Sequence, residues 1–136
     1  MMPPTLRQTA KDRYTILYVD DEQSNLRIFK NTFRRDFNIL LASDPHAAVE
    51  ILKSNRVDLL ITDQMMPDMS GVELLKEIKD LYPDVPPSRV MLSGYAQPDD
   101  INLAFEEYKL YKFLSKPWEE KVLKSLIIEA IESANG

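Results

Sequence analysis

Short apolar runs alternate along this chain with stretches in which apolar residues return every three or four positions. The runs "YTILYV" (14–19), "FNILLA" (37–42), "VDLLIT" (57–62), "RVMLS" (89–93) and "LYKFLS" (110–115) have the length and the β-branched or aromatic content of strands. A helical pattern follows each. Over 24–35, Leu26, Ile28, Phe29 and Phe33 are read as one face. Over 44–55, Asp44 is an N-cap and Pro45 sits in the first turn. Over 71–81, Val72, Leu75 and Ile78 fall in register, and the turn-rich "YPDVPPS" (82–88) then stops the helix. The segment 97–109 opens again on proline and acids, and the last helix carries a stripe of Val122, Leu123, Leu126, Ile127 and Ala130. Five βα units with strands that are apolar throughout predict an α/β fold, a doubly wound parallel sheet covered by helices on both faces.

Ligands of such sheets bind beyond the carboxyl ends of the strands, so the residues there are the candidates. Strand one ends on Asp20, Asp21 and Glu22, strand three on Asp63, strand four on Ser93, and strand five on Ser115 and Lys116 before Pro117. Two like charges about 4 Å apart repel by roughly 4 kcal/mol at a near-surface dielectric. Three gathered carboxylates therefore call for a counter-ion, and oxygen donors alone point to Mg²⁺, which keeps waters and leaves room for a phosphoryl oxygen. Asp63 is then a candidate nucleophile toward phosphorus, with Lys116 as a second positive centre and the Ser93 hydroxyl as a hydrogen-bond donor.

Composition removes the main competitors. With 136 residues the chain is read as one domain with a real core. The absence of cysteine excludes disulfides and thiolate chemistry, and a single histidine, His46, excludes a His cluster. Three glycines cannot build a glycine-rich phosphate loop. A net charge of −5 argues against nucleic acid as a direct partner. The first residues lack a signal-peptide core and no apolar stretch approaches membrane-spanning length, so a cytoplasmic location is expected.

Taken together, "YVDDE", "DLLITDQMMPDMSG", "RVMLSGYA" and "FLSKPW" resemble the response-regulator receiver domains of two-component signalling, from about Tyr14 onward. The resemblance implies a flavodoxin-like (βα)5 sandwich with strand order 2-1-3-4-5 over residues 14–136; residues 1–13, polar and proline-bearing, are read from the sequence as a loose tail. It further implies that Asp63 is phosphorylated, that Asp21 binds Mg²⁺ directly and Asp20 largely through water, and that the Met65 carbonyl completes the protein ligands. Ser93 and Lys116 would contact the phosphoryl group, Phe113 would be the aromatic switch, and Lys116–Pro117 would be cis. The donor would be a sensor histidine kinase or a histidine phosphotransfer protein. The "SGYA" and "KPW" variants resemble receivers fused to larger outputs, such as σ54-type activators, cyclic-di-GMP phosphodiesterases and sensor kinases. An output fused or separate, and a homodimer through the α4-β5-α5 face, are the implied partners.

Plainer roles compete at each position. Asp63 alone is a helix cap or a solvated strand end as readily as a nucleophile; beside Asp20, Asp21 and Lys116 the chemical reading wins. Glu22 is read as a helix-capping acid, His46 as a surface residue at a helix start, and Trp118 as packing at the start of the last helix. Phe113 is compatible with ordinary core. Met65 and Tyr95 flank the site. The alternative to a phospho-acceptor is a phosphorylation-independent interaction module that keeps the same pocket. An aspartate-nucleophile phosphatase is disfavoured, because "YVDDE" lacks the DxDx pattern those enzymes carry.

Overall fold

The computed structural model describes residues 13–82 and 84–135. The tail expected over residues 1–13 lies outside this range except for Arg13. Five strands alternate with five helices: β1 (Thr15–Val19), α1 (Gln23–Phe33), β2 (Asn38–Ala42), α2 (Pro45–Ser54), β3 (Leu59–Thr62), α3 (Gly71–Leu81), β4 (Ser88–Ser93), α4 (Pro98–Glu107), β5 (Lys112–Ser115) and α5 (Glu120–Asn135). The sheet is parallel throughout, in the order β2-β1-β3-β4-β5.

Strand alternation divides the interior into two cores. Ile16, Tyr18, Leu59, Ile61, Val90 and Leu92 face α1 and α5, where they meet Phe29, Phe33, Leu123 and Ile127. Leu17, Val19, Leu60 and Met91 face the other way, against Ala48 and Leu52 of α2, Leu74, Leu75 and Ile78 of α3, and Ala104 of α4. Two helical readings need correction. Ile28 is exposed while Leu26, Phe29 and Phe33 are buried. The 3.6-residue period puts residues 26, 29 and 33 on one stripe and turns residue 28 well away from it. Val122 is likewise exposed, and the buried stripe of α5 is Leu123, Ile127, Ala130 and Ile131.

Local signals set the helix starts that matter for the site. Asp44 caps α2, accepting from the Ala47 N–H at 2.8 Å, with Pro45 at the first position as expected. Ser70 and Glu73 form a reciprocal capping box on α3. Glu22 stands at the N-cap of α1 but makes no side-chain capping bond, so its expected role is not realised. Helix α4 contributes one fully buried residue, Ala104. Its C-terminal end is held by Arg89, which is 1% exposed and donates to the carbonyl of Tyr108 at 3.2 Å and to that of Pro86 at 3.3 Å.

Candidate functional site

The parallel register brings the strand ends level. Val19 pairs with Thr62, Thr62 with Met91, and Ser93 with Ser115. Main-chain bonds extend the ladder one step further: Asp63 N–H donates to Val19 O at 3.0 Å and Lys116 N–H to Ser93 O at 3.0 Å. Carboxylate oxygens of Asp20, Asp21 and Asp63 therefore lie within 4.8 Å of one another, the first and last buried and Asp21 exposed. The Lys116 ammonium joins them, 2.7 Å from Asp20 Oδ2 and 3.4 Å from Asp63 Oδ2. The Lys116–Pro117 bond is cis. This all-oxygen donor set, with one exposed member open to solvent, fits a hard divalent cation.

Charge states follow from these contacts. Burial pushes the Asp20 carboxyl up, but hydrogen bonds from Lys116, the Glu22 N–H and Tyr18 outweigh it and hold the group below its ordinary value. Burial works against the Lys116 ammonium, yet its bond to Asp20 and the charges of Asp20 and Asp63 raise it. Both groups are charged at neutral pH.

The remaining expected residues divide. Ser93 is buried at the end of β4, but its hydroxyl donates to the Tyr95 carbonyl at 2.7 Å, within its own loop. Met65 is exposed, two residues after Asp63 in the loop between β3 and α3. Phe113 on β5 is half-buried and packs against the core on the α2–α4 side. Trp118 packs its ring on Phe33 and Phe29 of α1, with centroids 5.5 and 6.3 Å apart. His46 is exposed at the start of α2.

Three residues enter that sequence reasoning missed. Tyr18 donates its hydroxyl to Asp20 Oδ2 at 2.7 Å, and burial together with that bond raises its own ionisation far above the ordinary value. Asn25 donates to the same oxygen at 3.1 Å. Gln64, 3% exposed, surrounds the acceptor: its N–H donates to Asp63 Oδ1 at 2.8 Å, its side-chain carbonyl accepts from Val72 N–H at 2.8 Å, and its amide donates to Asp100 Oδ2 at 3.2 Å. Tyr18 was legible, because positions two apart on a strand share a face and Asp20 follows at that spacing. Gln64 had no such signal. Gly71 makes the tight loop possible: a Cβ there would overlap the Asp63 carbonyl oxygen.

A family model described as the response regulator receiver domain matches residues 16–128. The chain belongs to this family. As a receiver domain it is a signalling module of two-component response regulators. It is 35% identical over 118 residues to the hydrogenase transcriptional regulatory protein HoxA of Bradyrhizobium diazoefficiens, covering 87% of this chain and 24% of that protein. The receiver thus spans about a quarter of the length of the HoxA relatives it matches. It is 32% identical over 126 residues to the chemotaxis protein CheY of Pseudomonas aeruginosa, covering 89% of this chain and 98% of the other. Among solved structures, the signal receiver domain of an HD domain-containing protein from Pseudomonas fluorescens superposes with a TM-score of 0.83 at 31% identity, covering 90% of this chain and 98% of that one. No helix among the described residues of the receiver is long and apolar enough to cross a membrane.

Proposed function

We propose that this receiver is a Mg²⁺-dependent phospho-acceptor switch in which Asp63 takes the phosphoryl group. The observation that carries the reading is the single ammonium of Lys116 shared between Asp20 and Asp63 in a pocket of three carboxylates. Asp20, Asp21, Asp63 and the Met65 carbonyl are the proposed ligands. Bound Mg²⁺ would neutralise the carboxylates and draw the phosphoryl oxygens toward them. An Asp63 carboxylate oxygen forms the new O–P bond as the P–N bond of a phosphohistidine breaks. The electron pair leaves with the imidazole, and the donor is a sensor histidine kinase or histidine phosphotransfer protein. Attack by water later reverses the modification and releases inorganic phosphate. The receiver thereby acts on itself and is not a turnover enzyme.

The Lys116 and Ser93 side chains are the proposed contacts to the transferred group. Lys116 already reaches both acids. Ser93 must exchange its bond to the Tyr95 carbonyl for one to phosphate, which releases the loop leading into α4. Gln64 ties that same helix to the acceptor through Asp100. Phe113 would follow sterically, since it has no hydroxyl, and the α4-β5-α5 surface would change. Leu103 and Phe105, on opposite flanks of buried Ala104 in α4, are exposed apolar side chains available to a homodimer or an output contact, fused or separate. A groove of about 580 Å³ between α1 and the start of α5, lined by Asn25, Ile28, Lys116, Pro117 and Trp118 among others, offers a donor protein an approach to the pocket. A cytoplasmic setting, and residues 14–136 as the functional unit, belong to the same proposal.

Intact-protein mass spectrometry after incubation with acetyl phosphate and Mg²⁺ tests the chemistry. One phosphoryl group is expected on the wild type and none on Asp63→Asn. Undiminished labelling of Asp63→Asn refutes the assignment. A wild type that neither labels nor responds to beryllofluoride with Mg²⁺ returns the phosphorylation-independent interaction module.

A further inference from the structure

The two oxygens of Asp20 are used unequally. Oδ2 accepts from Tyr18 Oη at 2.7 Å, Lys116 Nζ at 2.7 Å and Asn25 Nδ2 at 3.1 Å. Oδ1 accepts from the Glu22 N–H at 3.0 Å. Three donors crowd Oδ2, so Oδ1 is the oxygen with capacity for a further partner, directly or through water.

The three donors also differ in mobility. Lys116 ends a flexible side chain and is already divided between Asp20 and Asp63. Tyr18 is 1% exposed, and its ring lies 4.4 Å from that of Phe29, in the core between the sheet and α1. Asn25 sits in the first turn of α1, a rigid element whose buried stripe is fixed against that same core. Two neutral donors on fixed mounts thus grip one carboxylate oxygen from the strand side and from the helix side. A side chain gripped in this way has one rotamer open to it, and groups that orient a ligand carboxylate commonly contribute tenfold or more to metal affinity.

We propose that Tyr18 and Asn25 are positioning residues for Asp20: they hold it by Oδ2 so that Oδ1 is presented to the cation pocket, independently of where Lys116 points. The inference rests on the phospho-acceptor reading and deepens it. It assigns part of the Mg²⁺ affinity to a tyrosine hydroxyl and an amide that touch neither the cation nor the phosphoryl group.

Tyr18→Phe keeps the ring and its packing on Phe29 and deletes one O–H, and Asn25→Ala deletes the amide at a half-buried position. Each is expected to raise the Mg²⁺ dissociation constant of the unphosphorylated full chain, measured by calorimetric titration with MgCl₂, by about tenfold. The labelling defect with acetyl phosphate should be recovered by raising Mg²⁺ in proportion, a pattern that loss of packing alone does not produce. Dissociation constants within twofold of wild type for both variants overturn the proposal, even where urea midpoints fall. The parent reading is tested separately in the same series: a wild type that binds Mg²⁺ but never labels Asp63 sinks the phospho-acceptor function and leaves the Asp20 measurement standing.

Discussion

Replacing Gln64 by leucine isolates the side chain that joins the acceptor to two helices. The substitution leaves the main-chain bonds in place, including Gln64 N–H to Asp63 Oδ1 and Gly71 N–H to Gln64 O at 3.0 Å. It removes the acceptor of the Val72 N–H and the donor to Asp100. The first three amides of α3 are at present all satisfied, Gly71 and Val72 by Gln64 and Glu73 by Ser70. Val72 is buried, so its orphaned N–H costs about 1–3 kcal/mol. Asp100 is half-exposed and turns to water, so its bond is worth about 0.5–1 kcal/mol. The leucine side chain gives back roughly 1 kcal/mol by apolar burial. A net loss of about 0.5–3 kcal/mol is expected, which at a urea slope of about 1–3 kcal/mol per molar lowers the midpoint by roughly 1 M. Urea unfolding followed by far-UV circular dichroism reads this directly. Gln64→Glu should lose more, because it keeps the acceptor for Val72 but sets a third negative charge between Asp63 and Asp100. An unchanged midpoint and slope for Gln64→Leu would refute the reasoning, since Val72 N–H would then need no partner from residue 64.

The other expectations are simpler. Gly71→Ala should destabilise the fold by about 1–3 kcal/mol or more and depress labelling of Asp63, because the new methyl group meets the acceptor's own carbonyl oxygen; wild-type labelling would show that the loop relaxes freely. The Asp20 carboxyl is held below its ordinary value in the folded chain, so its contribution to stability is present above about pH 4 and is lost as pH falls through the folded value. Unfolding free energies from urea titrations between pH 2 and 5 in metal-free buffer should therefore fall less steeply for Asp20→Asn, by up to about 1.4 kcal/mol per pH unit, and identical slopes would contradict the assignment. Lys116 has the opposite sense: raised when folded, it contributes fully below about pH 10.4 and loses that contribution as pH climbs further, a loss Lys116→Met should lack.

The fold was legible because its signals are local and redundant. The apolar runs of β1, β3 and β4, buried almost throughout, and helices opened by Asp44 or a proline need no tertiary information. Ile28 and Val122 were misplaced because an apolar residue next to a buried stripe looks like part of it, and only the packed helix shows which side faces the sheet. The acids and Lys116 were legible since strand ends align by topology alone. The orientation of the Ser93 hydroxyl was not, because it depends on how the following loop folds back on Tyr95. Gln64 was hidden for a similar reason: Asp100 lies 36 residues away, and nothing in "DQMMP" indicates that the glutamine points inward.

Helix α4 is fastened unequally, and this gives any disturbance of it a direction. Near Tyr108 it is clamped by the Arg89 guanidinium and by the Tyr108 and Leu110 N–H groups, which both donate to Ala104 O. At the other end a side-chain bond, Gln64 to Asp100, ties it to the loop after β3. A rod pinned at one tip sweeps an arc, and ten residues make an arm of about 15 Å. A tilt of about 5° therefore carries Pro98 sideways by roughly 1 Å while Glu107 scarcely stirs. A binding protein that grips the proline end of this arm can tell the two positions apart, and one that grips the pivot cannot.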